Sequence, residues 1–94
     1  MLVSTHIKIE GLVQGVFYRV STQEKAKELN VNGWVRNNSE GSVEAFFEGE
    51  ISNVDTIVEW CWVGPKRANV SSVQVISKNE IDEYTCNSFD IVRG

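Results

Sequence analysis

The chain has 94 residues, 41% of them hydrophobic, and a formal net charge of −4. That size suits a single domain, residues 1–94, with one core that needs neither disulfides nor a metal to hold it. The acidic balance argues against non-specific attraction to nucleic acid or an anionic membrane, and the N-terminus Met1–His6 has neither a basic segment nor a long apolar run, so no signal peptide and no membrane span are expected.

A chain without a leader points to a cytoplasmic location, where thiols stay reduced and Cys61 and Cys86 would be free. Export would allow the two to pair, and spacing does not decide between these. Thr5 to Val13 alternates, with Thr5, Ile7, Ile9, Gly11 and Val13 on one side and His6, Lys8 and Glu10 on the other. Period two predicts a half-buried strand with one wet face. His6, the only histidine, falls on that wet face and reads as a surface residue rather than a general base.

The strand runs into Gly11-Leu12-Val13-Gln14-Gly15-Val16-Phe17-Tyr18-Arg19. A strand that turns sharply into a helix leaves backbone N–H groups unpaired and aimed together, and the helix start adds its positive dipole end. Glycine permits positive φ and close approach of a ligand, so such a cup suits anions, above all phosphate. Arg19 would close it with a planar, permanently charged fork. On glycine spacing alone, a plain tight turn with a surface arginine is the better fit, because lone glycine motifs match often.

Val20 to Asn30 reads as a helix, with Ser21 and Thr22 near its start as cap candidates and a thin stripe of Val20, Ala26 and Leu29. Asn30 and Gly33 are stop signals. Trp34–Asn37 and Ser42–Glu48 form the arms of a hairpin whose turn is Asn38-Ser39-Glu40-Gly41. Val43, Ala45 and Phe47 share one face of its second arm, and Glu44, Phe46 and Glu48 share the other. Asn53 to Val63 carries Val54, Ile57, Val58, Cys61 and Trp62 at helical spacing, with Ser52 and Asp55 in the positions of a capping box and Gly64-Pro65 as its end. Val70 to Ile76 predicts a strand with Val73 and Val75 inward, Ser77 to Asn87 a surface loop, and Phe89 to Val92 a last short strand.

This order predicts an α+β fold of the ferredoxin-like, split βαβ kind: βαββαβ plus a short C-terminal strand, with two helices on one face of a mostly antiparallel sheet. RNA-binding domains of this shape expose aromatic residues on the open sheet face beside basic loops. Here the first strand offers His6, Lys8 and Glu10 on that face and the third offers one aromatic, Phe46, so no nucleic-acid partner is expected.

The string Gly11-x-Val13-Gln14-Gly15-Val16-x-Tyr18-Arg19 resembles the first signature of the acylphosphatase family, G-x-V-Q-G-V-x-F-R. Gly33-Trp34-Val35-Arg36-Asn37-Asn38-Ser39-Glu40-Gly41-Ser42-Val43, with Gly49 six residues on, is similar to its second. The two stand in the family's order and separation, and the likeness weakens after about Lys78. The resemblance implies hydrolysis of the carboxyl–phosphate bond of small acyl phosphates, with no cofactor, no metal and no covalent intermediate. Carried over by position, it implies that Arg19 binds the phosphoryl oxygens, that the N–H groups of Gln14, Gly15, Val16, Phe17, Tyr18 and Arg19 form the cup, and that Asn37 orients the attacking water. It also makes Thr22 either a brace for the loop or a simple cap. Phe17 stands where many members have glycine, and Tyr18 replaces the usual phenylalanine, so its hydroxyl needs a partner if buried.

The residue types fit that chemistry independently. No His, Cys, Asp or Glu cluster shows metal-ligand spacing and no histidine lies near Arg19, so neither a metal-activated water nor a His-paired nucleophile is expected. A phosphate ester leaves as an alkoxide and needs an acid or a metal, whereas an acyl phosphate leaves as a carboxylate, stable near neutral pH. Positioning and charge stabilisation then suffice. Cys61-Trp62-Val63-Gly64-Pro65-Lys66-Arg67 matches Cys-x5-Arg of cysteine-dependent phosphatases, but its cysteine sits at the end of a predicted helix, where carbonyls are free, and Pro65 has no N–H. A binding module that holds acyl phosphate or inorganic phosphate without turnover is the other alternative. Nothing requires more than a monomer.

Overall fold

The computed structural model describes residues 1–93. In chain order these form β1 (Leu2–Leu12), α1 (Tyr18–Glu28), β2 (Asn32–Asn37), β3 (Val43–Glu50), α2 (Ile51–Cys61), β4 (Asn69–Glu80) and β5 (Phe89–Ile91). The sheet order is β4-β1-β3-β2-β5. Every pairing is antiparallel except the parallel pair of β2 and β5. Because β3 lies between β1 and β2, the α1 crossover spans a strand, which is the split βαβ arrangement expected of a ferredoxin-like α+β fold. The core lies between sheet and helices, where Ile7, Ile9, Val35, Val43, Ala45 and Phe47 meet Ala26, Val54, Ile57 and Cys61, all fully buried. The alternation read in the first strand and in the second hairpin arm is thus the core face of β1 and β3.

Both helices begin earlier than their sequence signals suggest, and neither has a side-chain cap. In α1 the N-cap is Phe17, and Thr22 sits one turn in, with its hydroxyl donating to Tyr18 O at 2.7 Å. The buried stripe of α1 is Tyr18, Thr22 and Ala26, not Val20, which is 47% exposed. In α2, Ser52 lies inside the helix and Asp55 pairs with Lys78 at 3.1 Å, so no capping box forms. Trp62 follows the last helical residue and points outward. Gly64 ends α2 as expected: with φ +67 its N–H donates to Trp60 O at 2.8 Å.

The C-terminal third departs most from its pattern. β4 continues to Glu80, because β1 begins at Leu2 and its first residues pair with Lys78, Asn79 and Glu80. An edge strand exposes most of its side chains, so Ser77–Glu80 carry no hydrophobic alternation. Register shifts opposite His6/Ile7 and Glu10/Gly11 break the alternation further. Val73 is half-buried against the core, but Val75 is 52% exposed rather than inward.

The open sheet face is more ordered than a wet face need be. Trp34 of β2 joins Phe46 there, the two rings stacked with centroids 6.1 Å apart, and the Arg36 guanidinium lies 5.3 Å over Trp34. His6 packs edge-on against Trp34 and hydrogen-bonds Glu44. Glu48 is fully buried, because the loop after β4 crosses above it. Its carboxylate accepts the N–H groups of Thr85, at 3.0 Å, and Cys86, at 2.9 Å, and the Thr85 hydroxyl.

Glu48 therefore holds the loop to the sheet. Glu48→Ala leaves those donors without their acceptor and is expected to lower unfolding stability by about 1–3 kcal/mol, with Glu48→Gln milder because it keeps one oxygen. Urea denaturation of the three proteins checks the ranking.

Candidate active site at the β1–α1 turn

β1 ends at Leu12 and α1 begins at Tyr18, so only five residues make the reversal. The backbone does it by alternating handedness: φ is +74 at Gly15 and +64 at Phe17, but not positive at Gln14 or Val16. Such alternation curls consecutive N–H groups towards one side. Among the described residues, the first amide of α1 with a backbone acceptor is that of Ser21, which donates to Phe17 O at 3.0 Å. The amides before it are the orphans of a helix start, and no cap side chain takes them.

A cavity of about 240 Å³ opens at this point, lined by Val13, Gly15, Phe17, Tyr18, Arg19, Val20 and Asn37. Arg19 is half-buried and makes no ion pair among the described residues. Asn37 ends β2 opposite Val43, and its Oδ1 is buried without a hydrogen-bond partner. A buried acceptor of that kind calls for a donor from outside the chain. The Val16 side chain is buried beneath the turn and the Gln14 side chain points elsewhere, so these two can offer the cup only their backbone.

Two ties fix the turn. Gln14 Nε2 donates to Asn38 O at 2.8 Å and to Ser42 O at 2.9 Å, clamping the β2–β3 turn beside Asn37 to the glycine loop. On the other side the Tyr18 hydroxyl, fully buried, donates to Cys61 O at 2.6 Å and so satisfies a carbonyl at the end of α2. Burial holds the Tyr18 phenol well above its ordinary pKa, so it stays protonated. The same burial pushes the Cys61 thiol up to about 12. Gly64 makes room for this tie, since a Cβ there would come within 2.6 Å of the Tyr18 ring.

The Gln14 clamp and the place of Val20 on the cavity wall are not legible in the sequence. The clamp joins residues 24 and 28 positions apart. Val20 reads as part of a helical stripe until the true start of α1 is known.

Helix-start amides beside a guanidinium without an ion pair among the described residues are the elements of a candidate oxyanion site on a ferredoxin-like domain. The family profile for Acylphosphatase matches residues 5–91. An acylphosphatase of Pelotomaculum thermopropionicum is 46% identical over 80 residues, covering 85% of this chain and 83% of the relative. The structure of an acylphosphatase from Coxiella burnetii superposes with a TM-score of 0.85 at 38% identity, covering 97% of this chain and 93% of that one. The crystal structure of acylphosphatase from Bacillus subtilis gives 0.88 at 30% identity, covering 98% and 99%. The chain belongs to the acylphosphatase family, enzymes that hydrolyse acid anhydrides.

If the Gln14 side chain positions Asn37, Gln14→Ala lowers kcat for an acyl phosphate about tenfold or more while the protein remains folded by circular dichroism. Equal turnover in the two proteins would limit Gln14 to its backbone.

Proposed function

We propose that this chain hydrolyses the carboxyl–phosphate bond of small acyl phosphates by direct attack of a positioned water, with no metal and no covalent intermediate. The observation that carries this reading is the meeting, on one cavity wall, of a guanidinium without a carboxylate partner and a carboxamide oxygen without a donor, beside the uncapped start of α1.

Arg19 and the amides from Gln14 to Arg19 hold the phosphoryl oxygens and take up the charge that grows on them as the bond to the leaving group loosens. The Asn37 Oδ1 accepts a hydrogen bond from water and turns its lone pair towards phosphorus. The water oxygen forms the new P–O bond, the bond to the acyl oxygen breaks, and its electron pair leaves on the carboxylate. The water proton passes to phosphate or solvent. Because a carboxylate needs no proton to leave, the cavity's set of one cation, one carboxamide and backbone amides is enough.

The cysteine alternative lacks support. Cys61 is fully buried at the C-terminal end of α2, and its raised pKa keeps the thiol neutral at working pH. Within this reading the protein acts as a cytoplasmic monomer with free Cys61 and Cys86, consistent with two thiols that are unpaired here.

Benzoyl phosphate hydrolysis in excess EDTA tests the proposal. Arg19→Ala is expected to lose about 10³-fold or more in kcat/KM and Asn37→Ala about 10²–10³-fold. Cys61→Ser keeps its activity. A wild-type protein that binds phosphate but releases none from the substrate would make the cup a binding module.

The thiol predicts a pH signature as well. With its pKa near 12, Cys61 stays neutral from pH 7 to 9, so iodoacetamide at pH 8 leaves Cys61 unlabelled and activity intact. Mass spectrometry of the native protein reads the labelling.

A further inference from the structure

We propose that Phe17 and Val20 form an apolar lip that receives the acyl substituent of the substrate and favours aromatic or bulky apolar acyl phosphates over small ones. This rests on the acylphosphatase reading of the same cavity.

Phe17 is an anomaly on stability grounds. It is the N-cap of α1 and holds φ +64, a conformation that glycine adopts freely and a residue with a Cβ adopts at a cost. Packing does not offset that cost. Phe17 is 72% exposed, lies outside the core cluster and has no aromatic partner among the described residues. Val20, one helical turn on, is 47% exposed and lines the same cavity. Both side chains contribute apolar surface to the mouth and little to the fold.

The reaction says what that surface meets. The phosphoryl oxygens take the guanidinium and the amides, so the acyl portion is left at the open side of the cavity. The exposed side chains there are hydrocarbon. Arg19 is the only cation on the wall and is already engaged by phosphate, so a second anionic group on the acyl chain finds no countercharge. A flat apolar acyl group gains contact with the Phe17 ring, and an acetyl group is too small to cover it.

The test is a selectivity ratio: kcat/KM for benzoyl phosphate divided by kcat/KM for acetyl phosphate, measured for wild type, Phe17→Gly and Phe17→Leu. Phe17→Gly is expected to lower the ratio roughly three- to tenfold, mainly through KM for benzoyl phosphate. Phe17→Leu, which keeps an apolar side chain, recovers part of it. The melting temperature of Phe17→Gly does not fall, because glycine relieves the strained φ, and this separates a binding role from a structural one. An unchanged ratio in Phe17→Gly, or equal losses on both substrates, would overturn the lip while leaving the hydrolase intact. A wild type that hydrolyses neither substrate yet binds inorganic phosphate by calorimetry would overturn the hydrolase reading and the lip together.

Discussion

The uncapped start of α1 is the constraint on which the rest of the structure depends. A helix that opens on orphan amides has to satisfy them with a side chain, with solvent or with a ligand. Here the N-cap is Phe17, whose side chain has no acceptor, and positive φ at Gly15 and Phe17 keeps the chain curled around the amides. The dipole end and the Arg19 guanidinium then face the same cavity without a protein anion. The result is a turn whose amides no cap side chain takes and whose guanidinium has no carboxylate partner among the described residues.

A turn of that kind needs support from outside, and the surrounding elements provide it from two directions. Tyr18 ties it to the end of α2 through one buried hydrogen bond, and Gly64 keeps the space for the ring. Gln14 ties it to the β2–β3 turn. Both ties reach across the fold, so the relative positions of Arg19 and Asn37 are set by the packing of the whole domain rather than by the loop.

The open face of the sheet stiffens the strand that carries Asn37. Arg36 donates to Glu44 at 3.0 Å, His6 reaches the other oxygen of that carboxylate, and Trp34 and Phe46 stack beside them. Burial disfavours the Glu44 carboxylate, but the hydrogen bonds from Arg36 and His6 outweigh it and hold the group below its usual range. A charged pair is modest on an exposed surface, whereas a half-covered carboxylate with two donors specifies one arrangement of three strands.

The sequence by itself determined whatever depends on local periodicity and on short strings. Alternation in β1 and β3 and the 3.6-residue stripe of Val54, Ile57 and Cys61 defined the core faces, because side-chain direction in a strand or helix follows directly from backbone geometry. The string from Gly11 to Arg19 marked the turn as a candidate anion site by residue type and spacing, whereas Asn37 entered only through the resemblance to the acylphosphatase signatures, since an asparagine beside a turn is common for local hydrogen-bonding reasons. Tertiary structure alone decided the rest. Ser77–Glu80 are strand because β1 extends to Leu2 and offers a partner, which no pattern within 77–80 records. Glu48 is buried because a loop from 37 residues later donates to it. Ser21 and Thr22 do not cap α1 because the turn starts the helix at Tyr18, leaving its amides open. In each case the deciding contact is long-range, and a hydrogen bond between distant residues leaves no periodic trace in either of the segments it joins.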